Sequence, residues 1–218
     1  MRVTHVIFDL DGTLIDSAPS ILESVQAAFE AVGLRPSKEL EPALIGPPLA
    51  ETITNLLDDQ DTHRLPEVIE YFKTYYDESG YRKSQVYEGV PEMMDALSRQ
   101  GVRLLVATNK RIRPTLKIME HLDWAHRFDG VFALDYFDPP LGKKSEMLER
   151  LVIELGLDAN DLIYVGDRLE DALAAQANGI PFILVTWGYG DAPEGDWYRA
   201  KRPSDLLTAT AMMPSKCN

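Results

Sequence analysis

The stretch VIFDLDGTLID, residues 6–16, decides the fold. Val6, Ile7 and Phe8 are β-branched or aromatic and are followed at once by charge and glycine, which reads as a short strand buried on both faces of a parallel sheet. Asp9 then stands at the carboxyl end of that strand, the edge at which open α/β sheets bind ligands. Side chains alternate along an extended backbone, so Asp9 and Asp11 point the same way if that geometry persists. Two anions so placed repel unless a cation lies between them or one keeps its proton. Either arrangement suits metal-assisted or acid–base chemistry. Asp11-Gly12 alone would make an ordinary turn. The apolar lead-in and the following Thr13-Leu14 favour a site.

The chain has 218 residues, 45% of them hydrophobic, enough for a sizeable core in one domain or one domain with an insertion. No apolar run is long enough to span a bilayer, and the N-terminus enters a strand without a signal-like segment, so a cytoplasmic protein is expected. The single cysteine, Cys217, lies in the tail and excludes a disulfide framework or a thiolate metal site. A formal charge of −13 argues against nucleic acid and anionic membrane as partners. His5, His63, His121 and His126 are scattered without ligand spacing and read as surface or packing residues.

From residue 86 onward strands and helices alternate. A helix ending at Gly101 precedes a strand over 102–109; a helix with an early Pro114 precedes a strand over 130–135. A helix over 144–156 ends at Gly156, a strand covers 161–167, a helix stops at Gly179, and the last clear strand covers 181–188. This alternation implies right-handed crossovers and a Rossmann-like parallel sheet with helices on both faces, an α/β fold. Residues 16–85 hold no convincing strand. They read as helices, the first with Pro19 near its start, Ser20 and Glu23 spaced as a capping box, and Gly33 at its end. Such a segment is too long for an ordinary crossover and forms a small helical bundle on top of the sheet.

Polar groups recur after the later strands. Thr108 and Asn109 end the second strand at the same sheet edge as Asp9, where a hydroxyl and an amide can donate to phosphate oxygens or simply cap a helix. Lys143 and Lys144 open a helix; either is a surface charge unless the acidic edge needs a fixed cation. Asp167 and Asp171 follow the strand LIYV, where carboxylates can complete an oxygen site for Mg²⁺. Asp171 either orients metal-bound water or favours the helix N-terminus. Glu170 reads as solvated.

The run Asp9-Leu10-Asp11-Gly12-Thr13 matches the DxDGT motif, and the chain resembles the haloacid dehalogenase-like hydrolases, in particular their phosphoglycolate-phosphatase-like branch. Gly166-Asp167-Arg168-Leu169-Glu170-Asp171 matches the family's GDxxxD motif, Thr108 its second motif and Lys144, rather than Lys143, its third. The resemblance implies a core domain of residues 1–15 and 86–218 and a helical cap domain of residues 16–85 that closes over the site. It also implies a Mg²⁺-dependent phosphatase of small phosphomonoesters, phosphoglycolate or a similar metabolite. Asp9 would be the nucleophile forming an aspartyl-phosphate and Asp11 the acid and base, with Lys144 holding charge and Thr108 and Asn109 binding phosphate. Mg²⁺ would sit on Asp9, Asp167 and the main-chain carbonyl of Asp11. Residues 45–49, Gly46 among them, resemble the cap loop that lines the substrate pocket, with a plain interhelical turn as the equal alternative. Residues 186–190 resemble a stretch of the same branch, with Trp187 in a packing role.

Two other activities fit parts of the pattern. A phosphomutase of β-phosphoglucomutase type uses the same aspartyl-phosphate but returns it to a sugar, and Thr13 weighs mildly against it. A receiver-like phospho-acceptor also places Asp, Thr and Lys at strand ends, but the long insertion and Asp11 argue against that.

Overall fold

The structure is a computed structural model that describes residues 3–190 and 194–212, so Cys217 lies outside the described residues. The first strand, β1 (His5–Phe8), is buried along its whole length, as its apolar run requires. Val6 and Phe8 belong to the core on one face of the sheet and Ile7 to the core on the other. Period-two alternation therefore feeds both faces, and helices must cover both. Full burial of a side chain such as Ile7 or Phe8 contributes about 1.5–3 kcal/mol.

After β1 the chain makes a tight turn at Gly12 and forms β2 (Ile15–Asp16), then three helices, α1 (Ala18–Ala31), α2 (Leu49–Thr54) and α3 (Leu65–Glu78). Helix α3 packs on both α1 and α2. The chain returns through β3 (Gln85–Val86), which pairs antiparallel with β2. These two-residue strands fasten the insertion at its base, where no strand is expected from the sequence. They are too short to show a periodicity.

The remaining elements alternate: α4 (Val90–Arg99), β4 (Arg103–Thr108), α5 (Ile112–His121), β5 (Gly130–Ala133), α6 (Lys144–Leu155), β6 (Leu162–Gly166), α7 (Leu169–Ala177), β7 (Phe182–Val185), β8 (Tyr198–Ala200) and α8 (Asp205–Met212). The main sheet is parallel, in the order β5-β4-β1-β6-β7-β8. Successive strands run outward from β1 to one side and then restart on its other side. This reversal opens a crevice at the carboxyl ends of β1, β4 and β6.

Three expectations differ locally. Strand β5 stops at Ala133 and gives way to a 3₁₀ turn over Leu134–Tyr136. Strand β8 is unforeseen; it has three residues at the sheet edge, with Tyr198 exposed, and carries no alternating pattern. The capping box at the start of α1 does not form. Ser20 donates to the Ser17 carbonyl at 3.0 Å, and Glu23 pairs with Lys83 at 2.6 Å. No described helix is long and apolar enough to cross a membrane.

Candidate active site

Register brings the polar strand ends together. Phe8 lies beside Val106 of β4 and Val165 of β6, and the Asp9 N–H extends the pairing to the Val165 carbonyl at 2.8 Å. Asp9 is thus held between the ends of β4 and β6, where Thr108 and Asp167 stand.

Asp9 is buried. Its Oδ2 lies 3.2 Å from Lys144 Nζ, and its Oδ1 has no hydrogen-bond partner among the described residues. Lys144 opens α6 and is buried, with Nζ 2.5 Å from Asp171 Oδ1. Lys143 points outward and meets Glu146, at 3.8 Å. The helical turn separates the adjacent lysines, so Lys144 is the one that reaches Asp9. Its ammonium stays protonated well above the usual lysine range: burial opposes the charge, but Asp171 and Asp9 outweigh it.

Asp171 is fully buried and accepts the Arg168 N–H at 3.0 Å, capping α7. Asp167 Oδ2 accepts the N–H groups of Tyr189 at 2.7 Å and Gly190 at 3.2 Å, while its Oδ1 has no partner among the described residues. Oxygens of Asp9, Asp167 and Asp171 all lie within 4.8 Å of one another. Burial pushes the Asp9 carboxyl up; Lys144 opposes this, and Asp171, Asp167 and Asp11 reinforce it. Burial and then Asp171 push Asp167 up to about 6. Three carboxylates with two orphaned buried oxygens make a donor set that suits a hard divalent cation.

Asp11 faces elsewhere. Its two oxygens each lie 3.1 Å from Lys110 Nζ, and Oδ1 accepts Ser17 Oγ at 2.5 Å. Its carboxylate is outside the acidic cluster. Ser17 gives its hydroxyl to Asp11 and so makes no cap bond for α1. Gly12, at φ +79°, has a left-handed conformation, and a Cβ there would run into the Asp167 carboxylate.

Thr108 is buried at the cavity floor, with Oγ1 accepting the Lys110 N–H at 3.2 Å. Asn109 Nδ2 donates to the Gly46 carbonyl at 3.1 Å and to Glu170 Oε1 at 3.0 Å. Glu170 is therefore a partner of Asn109 rather than a solvated charge. Gly46 lines the cavity, and its loop packs onto Arg168, which donates to the carbonyls of Ile45 and, at 3.1 Å, Ala43. With φ +135° and Arg168 against its open side, Gly46 has no room for a Cβ. Trp187 packs and also donates to the Thr13 carbonyl at 3.0 Å. Tyr189 OH donates to Asp16 at 2.8 Å and accepts the N–H groups of Ser17 and Ala18.

Lys110, Ser17, Arg168 and the Tyr189-Gly190 N–H pair are absent from the sequence expectations. Lys110 directly follows Thr108-Asn109, so its place at the strand end was the available signal. Ser17 lies six residues after Asp11 and Arg168 directly after Asp167, whereas the Tyr189-Gly190 pair reaches the site through long-range packing.

Residues 6–185 match the family described as haloacid dehalogenase-like hydrolase. A 5'-nucleotidase of Pseudomonas aeruginosa is 31% identical over 98% of this chain and 95% of its own length. A phosphoglycolate phosphatase of Agrobacterium fabrum is 33% identical over 86% of this chain and 82% of its length. The solved structure of Mycobacterium tuberculosis Protein Tyrosine Kinase A superposes with a TM-score of 0.81 at 30% identity, over 97% of this chain and 99% of that one. In the corresponding sequence match the alignment spans 63% of that protein's length. With the motif-bearing span matched from end to end and the acidic edge assembled as described, the chain belongs to the haloacid dehalogenase-like hydrolases, on their phosphoglycolate-phosphatase-like side.

Proposed function

We propose that this enzyme is a Mg²⁺-dependent phosphatase that hydrolyses a small phosphomonoester through an aspartyl-phosphate on Asp9, with residues 16–85 acting as a cap domain over a core of residues 1–15 and 86–218. One observation carries the reading. At the floor of a cavity, the buried Asp9 carboxylate is anchored on one oxygen by Lys144, while the other oxygen has no partner. Asp9, Asp167 and the main-chain carbonyl of Asp11 would hold Mg²⁺, and Asp171 would orient its water. Bound there, Mg²⁺ would neutralise charge on the phosphoryl oxygens.

Asp9 attacks phosphorus, and the bond between phosphorus and the ester oxygen breaks as Asp11 delivers a proton to that oxygen. Asp11, now a carboxylate, takes a proton from the water that attacks the phospho-enzyme. The bond between Asp9 and phosphorus then breaks, releasing phosphate and restoring the nucleophile. Lys144 holds Asp9 in line, and the Thr108 hydroxyl donates to a phosphoryl oxygen. Asn109 and Gly46 also tie the cap loop down over the floor. Positioning and electrostatics supply most of the rate enhancement.

The test is release of inorganic phosphate from a panel of small metabolite monophosphates, with Mg²⁺ and with chelator, combined with acid-quench mass spectrometry for a phosphoryl group on Asp9. Isomerisation of a hexose 1-phosphate in place of phosphate release would make the enzyme a mutase. A stable phospho-form with no turnover would make it a receiver-like acceptor.

A further inference from the structure

The cavity above Asp9 is floored by charge and roofed by hydrocarbon. Its roof comes from the insertion: Ile21 and Val25 on α1, Ile45 in the loop, Leu49 on α2, and Phe72 and Tyr76 on α3. A carboxylate on the leaving group would have to be buried against these side chains, above Asp9 and Asp11, which is costly unless a cation meets it.

Among the described residues the lining of this cavity includes two cations, and both are engaged. Lys110 lies 3.1 Å from both oxygens of Asp11 and 4.6 Å from the centre of the Tyr76 ring. Arg111 forks onto Asp77 at 3.0 and 2.5 Å. Among the described residues, none of the insertion's six cations lines this cavity. Arg35 and Lys38 border a separate surface hollow, and Arg64 is held by Glu67 and the Val32 carbonyl. Residues 16–85 carry six Lys or Arg against thirteen Asp or Glu, so their overall field also repels a second anion. Space is limited as well. With Asn109 and Arg168 holding the loop down, the cavity measures about 60 Å³, room for a few water-sized groups.

Building on the phosphatase reading, we propose that the preferred substrates are phosphomonoesters of small, uncharged, largely apolar alcohols, and that a leaving group bearing a carboxylate is discriminated against. The floor recognises the phosphoryl group of any monoester. The roof selects on the group beyond the ester oxygen.

The experiment compares kcat/KM of the full chain with Mg²⁺ for propyl phosphate, 2-phosphoglycolate and a nucleoside 5'-monophosphate. Propyl phosphate is expected to exceed each of the others by at least about tenfold. Equal or better turnover of 2-phosphoglycolate would mean that Lys110 or Arg111 leaves its partner to receive the carboxylate, and would overturn the inference. A preference for the nucleotide would overturn it through the size argument. Release of phosphate from none of them, nor from p-nitrophenyl phosphate, would sink the phosphatase reading itself. Ile21→Lys, which places a cation in the roof, is expected to raise 2-phosphoglycolate relative to propyl phosphate by about tenfold. An unchanged ratio in a folded variant would count against the proposal, and the wild-type ranking decides it if the variant does not fold.

Discussion

Lys110 grips Asp11 with its ammonium 3.1 Å from each carboxylate oxygen, a buried pair that spans the first and second strand ends of the sheet. Asp11 is the residue to which we assign proton transfer, so the lysine fixes where that carboxyl points.

Replacing Lys110 by Met should therefore lower kcat by about 10²-fold, the scale of a misplaced catalytic group. Asp11→Asn should cost about 10²–10⁴-fold by removing the proton itself. Because Lys110 acts through Asp11, the double variant should be no worse than Asp11→Asn alone. Additive losses in steady-state kinetics would instead give Lys110 a role of its own, such as contact with the phosphoryl group.

Asp9→Asn should abolish turnover and leave the fold intact, since the amide is nearly isosteric but neither attacks phosphorus nor matches Lys144 in charge. No phosphoryl group should be found on the quenched variant. Phosphate release near the wild-type rate would remove Asp9 as the nucleophile.

The acidic cluster links metal, proton and stability. Asp167 is pushed up to about 6 by burial and Asp171, above its unfolded value of about 3.9. The folded state then holds the proton more tightly than the unfolded state, so stability is fully present below pH of about 4 and falls as pH rises toward 6. The loss from this group is on the order of 3 kcal/mol in metal-free protein. A divalent cation takes the deprotonated cluster and should restore it. Thermal melts are expected to show a larger Mg²⁺-induced rise in Tm at pH 7.5 than at pH 5. An equal rise at both would argue that the cation binds elsewhere.

How much the sequence makes legible depends on how local the cause is. The strand at residues 5–8, the acidic turn after it and the helix-opening position of Lys144 are set by short-range pattern, and the parallel sheet is implied by the alternation of elements. Lys110 is different: its place after Thr-Asn at a strand end is the one local signal, and only Tyr76, brought in by the insertion, buries it. The N–H pair of Tyr189 and Gly190 on Asp167 depends on a loop some twenty residues away. Strand β8 gains its place by pairing with β7, not from any preference of Tyr198-Arg199-Ala200.

Arg168 stands next to Asp167, its own N–H is bound by Asp171, and its guanidinium holds the carbonyls of Ile45 and Ala43. Asn109 holds the next carbonyl, Gly46, from the opposite side of the floor. The loop over the cavity is thus fastened to the strand end that carries Thr108 and to the helix start that carries Asp171. Arg168→Ala removes two of these bonds and keeps the hydrogen bonds of the carboxylates, while taking away a charge that favours ionised Asp167. Each charge-assisted bond contributes about 1.5–3 kcal/mol at most, and water replaces part of that when the loop lifts. Loss of both should shift the loop toward an open state without unfolding the sheet. Amide hydrogen exchange across residues 43–48 should accelerate, and kcat/KM should fall by about tenfold or more while the Mg²⁺-induced rise in Tm persists. Unchanged exchange together with a lost Mg²⁺ response would place Arg168 in the support of Asp167 and Asp171 instead of in closure of the loop.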